Sequence, residues 1–372
     1  MAQIQNCEWK TSPKDVHKLH SVCSYMAMFP STVPHYFIKE YSDEGETVLD
    51  PFSGRGTTVL EACSMNRQGI GNDKNPLAYV LTKAKANVPP KKKIENKIKK
   101  LRNEFDLIKI SIKKEHKDIK MIFSIGTLKQ LIFLQNKLKW KTSDMDAFIT
   151  SLVLGILHGN SKGFLSLSMP NTFSMAPNYV KGYIKKHGLK KPRRDVFELL
   201  LNKLDRCYQS SAREGKVFNR DVRKMGVIKD SSIDLIITSP PYTRVIRYGQ
   251  FNWIRLWFLG MEGKEVDKKL FFTQSNPRYI DFMSEVLLEM KRILKPKKKI
   301  VLVIGDVSDR VTKRPYNLAG DVWKNSAKPL GFKLAKPIQK DIISDGTKVS
   351  RIWGKKKGNA TKIDRILILE ND

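Results

Sequence analysis

The chain has 372 residues with 69 Lys and Arg against 37 Asp and Glu, a formal net charge of +32 and a pI near 9.9. That length supplies ample apolar material for one large domain or two smaller ones, and the charge excludes an ordinary small-metabolite enzyme in favour of a polyanionic partner. Between the two common polyanions, nucleic acid is expected over a membrane surface: no apolar stretch reaches the roughly 20 residues of a spanning helix, and residues 1–14 lack the apolar core of a signal peptide.

The first regular element predicted is the strand Thr47-Val48-Leu49, which runs into Asp50-Pro51-Phe52-Ser53-Gly54-Arg55-Gly56-Thr57-Thr58 and then a helix beginning Val59-Leu60-Glu61-Ala62. The glycines therefore occupy a strand-to-helix turn. Gly54 and Gly56 let the backbone approach a ligand closely, and the N–H groups of the helix starting at Thr57 can receive a carboxylate. A nucleotide-like ligand suits such a turn. A second strand, Gln68-Gly69-Ile70-Gly71-Asn72, ends in Asp73, and Asn75-Pro76 opens another helix. Asp73 stands where an acid can accept both ribose hydroxyls, at about the spacing of dinucleotide folds.

Val88-Pro89-Pro90 and three lysines break the pattern. Beyond the break, Ile94, Ile98, Leu101, Phe105, Ile108 and Ile112 recur at helical spacing among lysines, which predicts an amphipathic basic helix whose charged face is either solvated or on phosphate. Helices are predicted over 128–140, 145–158, 179–186 and 196–208, with a hydroxyl-rich loop over 159–174 that either reads base edges or merely connects. Lys190, Lys191, Arg193 and Arg194 form a basic joint before the last of these helices. Residues 89–210 are thus expected to be a largely helical insertion and the region that recognises the target.

A third strand at Val217-Phe218 precedes Asp221. Then Ile233-Asp234-Leu235-Ile236-Ile237, of strand length, leads into Thr238-Ser239-Pro240-Pro241-Tyr242. Two prolines end the ladder and leave carbonyls unpaired, and an aromatic ring follows. Those parts suit a flat substrate with an exocyclic amino group: the Ser239 hydroxyl and Pro240 carbonyl accept its hydrogens while Tyr242 stacks on the ring. Arg244, Arg247 and Tyr248, on the loop that follows, lie next to the substrate and are placed for phosphate. Trp253 and Trp257, on a helix over 251–259, are expected in the core. A helix over 279–294, a turn at Lys295-Pro296-Lys297-Lys298-Lys299, a buried strand over 300–304 and a last strand over 363–369 complete the chain. Strand and helix alternate, which implies a parallel sheet.

Cys7, Cys23, Cys63 and Cys207 show no C-x-x-C pairing, and the six histidines form no H-x-x-x-H pair, so neither disulfides nor a metal site are expected. The cysteines read as reduced and cytoplasmic, and His20 and His158 as structural or surface residues.

At Asp50 to Thr57 and at Ser239 to Tyr242 the chain resembles the amino-methylating DNA methyltransferases, the N4-cytosine and N6-adenine family that uses S-adenosylmethionine. The resemblance covers roughly residues 17–88 and 215–310. It implies a Rossmann-like α/β sheet, mostly parallel with an antiparallel last strand, formed by residues 1–88 and 211–372. It also implies that Asp50, Pro51, Phe52, Ser53, Gly54, Gly56, Thr57, Asp73 and Asn75 bind the cofactor, with Phe29 in an element closing over its methionine end and Asp221 on its adenine amino group. Ser239, Pro240, Pro241 and Tyr242 would be catalytic. A serine heading the tetrapeptide points to cytosine N4 in duplex DNA, with a cognate restriction endonuclease as an implied partner. N6-adenine methylation, methylation of an RNA base, and a non-catalytic DNA-binding scaffold stay open.

Overall fold

A computed structural model describes residues 9, 16–26, 29–169, 174–241, 247–308, 315–342 and 360–372. Its backbone is one mixed sheet with helices on both faces. In chain order, α1 (Thr32–Tyr41) precedes β1 (Thr47–Asp50), α2 (Thr57–Ser64), β2 (Gln68–Asn72) and α3 (Pro76–Ala86). Six helices follow: α4 (Lys91–Asp106), α5 (Lys117–Lys120), α6 (Ile125–Lys137), α7 (Asp144–Ile156), α8 (Pro177–His187) and α9 (Val196–Cys207). Only then come β3 (Lys216–Phe218) and β4 (Ile233–Thr238), the helices α10 (Tyr248–Phe251), α11 (Trp253–Phe258), α12 (Gly263–Lys269) and α13 (Asn276–Ile293), and β5 (Leu294–Ser308). Short β6 (Pro315–Tyr316), α14 (Leu318–Val322), β7 (Lys333–Leu334) and β8 (Gln339–Ile342) precede β9 (Ala360–Glu370).

The strand order is β3-β2-β1-β4-β5-β9-β7. β1 to β5 run parallel, and β9 inserts antiparallel beside β5. The expected mostly parallel sheet with an antiparallel last strand therefore forms. Its pleat sorts β5 between two cores: Ile300, Leu302 and Ile304 pack with Phe282, Met283 and Leu287 of α13, while Val301 and Val303 pack with Phe37 and Ile38 of α1. Burial on both faces explains why this strand is a continuous apolar run.

The order reverses between β1 and β4, where the two central strands diverge to opposite halves of the sheet. Ligands of open α/β sheets sit at the carboxyl ends of the strands at such a switch point. Asp50 ends β1 and Thr238 ends β4, so both motifs arrive at this crevice.

The helices between β2 and β3 share one apolar core with α3 and α11, through Leu77, Val80, Leu81, Phe148, Leu152, Leu200, Ile254 and Leu256. The basic helix is shorter than its periodicity predicts: α4 buries Ile94, Ile98 and Leu101 but stops at Asp106, so Ile108 and Ile112 lie beyond it. Part of its charge is used internally, Lys91 on Asp205 at 2.6 Å, Lys97 on Asp146 at 2.7 Å and Arg102 on Asp195 at 3.3 Å. The hydroxyl-rich loop is knitted into the fold, because Leu165 and Leu167 donate backbone N–H to Ile156 and Ile122 and are buried.

Two further expectations are corrected. The helix over 251–259 is split at Asn252, whose side chain donates to the Tyr248 carbonyl and accepts from Arg255. The lysine segment 295–299 is no separate turn: β5 begins at Leu294 opposite Ile233 and resumes register at Lys299 opposite Leu235. The intervening bulge places Lys297 at φ 60° and is pinned by Asn371, which donates from its side chain to the Leu294 carbonyl at 2.9 Å.

Candidate active site

The turn after β1 is held from three sides. Ser53 N–H donates to the Asn72 carbonyl at 3.0 Å, and the Ser53 hydroxyl meets that of Thr82, on α3, at 3.0 Å. Gly54 and Gly56 adopt φ 51° and 77°, the left-handed region. At Gly56 a Cβ would lie 2.9 Å from Thr82 Cα, so glycine is needed both for backbone conformation and for the approach of α3. Below the turn, buried Lys85 donates to the Arg55 carbonyl at 2.6 Å, and desolvation holds its ammonium well below the usual lysine pKa. His20 lies buried against Glu61 of α2 at 2.6 Å, a structural placement, and His158 is buried on the Ser166 hydroxyl at 2.9 Å.

Over this turn opens a cavity of about 260 Å³. Asp73 forms its polar wall: one carboxylate oxygen accepts the Gly54 N–H at 2.9 Å, the other the Asn75 N–H at 2.9 Å. Asp73 thereby ties the ends of β1 and β2 together, and burial raises its pKa from 3.8 to about 6. Asn75 caps α3 by accepting from Leu77 N–H and donates to the Tyr25 hydroxyl at 3.0 Å. Tyr25 in turn stacks on Tyr248, ring centroids 5.7 Å apart. The apolar wall is aromatic: Phe271 lies on Phe282 at 3.8 Å and 6°, and Phe282 meets Phe52 at 6.1 Å.

Ser239 and Pro241 line the same cavity from the end of β4, so residues more than 160 positions apart share one space with Pro51, Phe52, Gly54, Asp73 and Asn75. Asp50 joins the motifs from beneath. Its carboxylate accepts from the Thr238 hydroxyl at 2.6 Å and from Phe52 N–H at 3.2 Å, and burial raises its pKa to about 7. Asp50, Ser53, Gly56 and Thr57 are buried and do not line the cavity, and neither does the buried Pro240 ring, which stands between the lining residues Ser239 and Pro241. Tyr242 and Arg244 lie outside the described residues.

Asp221 reaches the cavity rim, but its carboxylate is engaged by Arg223 at 2.9 Å and Lys74 at 2.8 Å, which hold it far below the usual carboxylate range. Phe29 is half-buried against the core cluster that α1 helps to form and does not line the cavity. Arg247 lies over the Phe272 ring at 5.5 Å and faces a second, wider cavity, which adjoins the first through Tyr248, Leu270 and Phe271 and is also lined by Trp253 and Trp257. Lys190, Lys191, Arg193 and Arg194 lie between α8 and α9 and line neither cavity. Cys23, Cys63 and Cys207 are free and buried, and no group of three His, Cys, Asp or Glu among the described residues could hold a metal. No helix among the described residues is long and apolar enough to cross a membrane.

Sequence reading missed Phe271 and Phe282 as cavity walls, and placed Tyr248 beside the substrate for phosphate contact, whereas it lines the cavity and stacks on Tyr25. Phe271 and Phe282 carry no local signal, since their pairing joins the segment before α13 to a residue within that helix.

The sequence pattern of the family described as DNA methylase matches residues 3–84 and 233–360, more than half of the chain. The chain belongs to this DNA methylase family. The pattern is interrupted over residues 85–232, the stretch that holds α4 to α9 and β3. Among relatives, Type II methyltransferase M.BsoBI of Geobacillus stearothermophilus is 24% identical over 67% of this chain and 54% of its own length. M.MvaI of Kocuria varians is 24% identical over 68% of this chain and 59% of its own length. The chain therefore spans between half and three fifths of these relatives. M.MjaI of Methanocaldococcus jannaschii is 49% identical over 45 residues. Among solved structures, TrmN from Thermus thermophilus aligns with 95% of this chain and 52% of its own at 11% identity and a TM-score of 0.36.

Proposed function

We propose that this family member transfers a methyl group from S-adenosylmethionine to the exocyclic N4 amino group of cytosine in duplex DNA, in a restriction-modification setting. The observation that carries the reading is the shared cavity: Ser239, beside the Pro240-Pro241 step, faces the same space as Asp73 and Gly54.

The donor set fits the cofactor. The aromatic wall of Phe52, Phe271 and Phe282 suits an adenine ring, the Asp73 carboxylate suits two ribose hydroxyls, and Gly54, whose absent side chain leaves room beside Tyr25, admits the chain beyond. When bound, S-adenosylmethionine supplies an electrophilic methyl on a sulfonium.

The chain's own residues prepare the nucleophile. A cytosine amino nitrogen is weak because its lone pair is delocalised into the ring. Hydrogen bonds from its two hydrogens to Ser239 Oγ and the Pro240 carbonyl draw it toward tetrahedral geometry and leave the lone pair directed at the methyl. Proximity in one cavity supplies several kcal/mol more, up to about 7 to 11 in favourable cases. The Asp50–Thr238 bond keeps the two strand ends in register while this happens. A base inside a duplex must leave the stack to reach the cavity. The net charge of +32 suits the DNA backbone, and the insertion over residues 89–210 supplies the recognition region.

The test is methylation of unmodified duplex DNA, digested to nucleosides and read by mass. N4-methylcytosine is expected. N6-methyladenine would replace the base assignment, methyl transfer to RNA alone would replace the substrate, and absence of S-adenosylmethionine binding would leave a non-catalytic scaffold.

A further inference from the structure

We infer that Thr82 and Lys85 of α3 are positioning residues for the amino-acid end of S-adenosylmethionine: they hold the Gly54 and Arg55 carbonyls so that the Arg55 N–H is turned toward the ligand's carboxylate. The inference rests on the cofactor assigned above.

The two peptide units around Arg55 are each flanked by a glycine at positive φ, where rotation of the peptide plane meets little steric resistance. Their orientation therefore has to be fixed from outside the turn. Thr82 and Lys85, three residues apart, share one face of α3. Thr82 Oγ1 donates to the Gly54 carbonyl at 3.3 Å, so the Ser53 hydroxyl, 3.0 Å from the same oxygen, is the donor in that pair. Lys85 Nζ donates to the next carbonyl, that of Arg55, at 2.6 Å, and an amine can do so in either protonation state. Both side chains are buried, at 0% and 1% exposure, and neither lines the cavity, so they act through the turn.

Three of the four N–H groups over residues 53–56 are taken. Ser53 donates to the Asn72 carbonyl at 3.0 Å, Gly54 to Asp73 at 2.9 Å and Gly56 to the Ser53 carbonyl at 2.6 Å. The Arg55 N–H has no acceptor among the described residues. In a trans peptide C=O and N–H point in opposite directions, so fixing the Gly54 carbonyl on Thr82 directs the Arg55 N–H away from α3. Gly54, which shares that peptide unit, lines the cavity. A backbone donor so directed suits an anion, and the anion that the cofactor brings is its carboxylate. Ion pairing does not account for Lys85: its electrostatic neighbours are the Arg55 guanidinium and the Cys23 and Cys207 thiols, and a lysine buried without an acid destabilises a fold. Its amine is placed for the carbonyl.

The test is calorimetric titration with S-adenosylhomocysteine and with 5′-methylthioadenosine, which shares the adenosine and thioether but lacks the amino-acid carboxylate. Wild type is compared with Lys85→Met, Thr82→Val and Thr82→Ser, with denaturant unfolding as the check on folding. Lys85→Met and Thr82→Val are expected to weaken S-adenosylhomocysteine about tenfold and to leave 5′-methylthioadenosine within about twofold of wild type. Thr82→Ser keeps the hydroxyl and is expected to bind both as wild type does. Equal weakening of the two ligands indicates a packing role and overturns the inference, as does weakening of neither. A wild-type chain that binds neither ligand overturns the cofactor assignment with it. Where Lys85→Met does not fold, or 5′-methylthioadenosine binds too weakly to read, the Thr82 pair decides: S-adenosylhomocysteine affinity recovered in Thr82→Ser relative to Thr82→Val supports the inference, and equal affinities overturn it.

Discussion

Replacing Asp73 by Asn separates what this residue does for the fold from what it does for a ligand. In the unliganded protein, burial raises its pKa from 3.8 to about 6, so holding it ionised above that pH costs about 3 kcal/mol. Asparagine removes that cost. It also turns one amide N–H₂ toward either the Gly54 or the Asn75 N–H, leaving a donor without its acceptor at a cost of about 1–3 kcal/mol. The two effects oppose each other at similar size, so the unfolding free energy of Asp73→Asn is expected within about 2 kcal/mol of wild type. Ligand binding has no such compensation. Hydrogen bonds from ribose hydroxyls to a charged acceptor are worth about 1.5–3 kcal/mol each, so losing even one weakens S-adenosylmethionine by at least about tenfold. Calorimetric titration at pH 8, beside denaturant unfolding, reads both quantities. A pH series adds a second signature: because the ligand needs the carboxylate and Asp73 is protonated below about 6, wild-type affinity should rise as pH increases through about 6 while the variant stays flat. An Asp73→Asn protein with wild-type affinity and the wild-type pH profile would refute the assignment.

Three other outcomes follow from the same geometry. Gly56→Ala combines a left-handed backbone, about 1–2 kcal/mol for a side chain, with a contact 2.9 Å from Thr82 Cα, so a loss of about 2–5 kcal/mol in denaturant unfolding is expected, and a loss under about 0.5 would show that the turn can relax. Ser239→Ala should slow methyl transfer by about 100-fold with cofactor affinity unchanged, read by single-turnover kinetics; equal rates would remove Ser239 from the chemistry. For Asp50 the folded pKa, about 7, exceeds the unfolded 3.8, so the folded state holds the extra proton between these values. Its contribution to stability is therefore full below about 4 and lost as pH rises through about 7. Wild type should lose stability relative to Asp50→Asn from pH 5 to pH 8, and parallel profiles would contradict the burial argument.

Much of the site was legible because its signals are local. A strand run leading into the Gly54-Arg55-Gly56 turn and another leading into Pro240-Pro241 are written within a few residues each, and β1 and β4 lie where those runs place them. The basic periodicity of α4 was also legible, but not its end: Ile108 and Ile112 keep the spacing after the helix has stopped, because spacing records apolar positions and not backbone hydrogen bonds. The lysines of residues 295–299 read as a turn for a similar reason, since a bulge stitched down by Asn371 depends on a residue at the other end of the chain.

Side-chain direction is what sequence could not supply. By itself it determined the alternation of strands and helices, the two motif-bearing turns, the excess of positive charge and the stretch of helices between β2 and β3. Only the tertiary structure decided that Asp50 points under the site to Thr238 while Asp73 lines the cavity, that Asp221 meets it already held by Lys74 and Arg223, and that Phe271 and Phe282 close one wall. The physical reason is that turn and strand signals arise from a residue's own backbone preferences and nearest neighbours. A cavity wall arises from which distant elements the sheet order brings together, and that order is set by the packing of its two apolar faces.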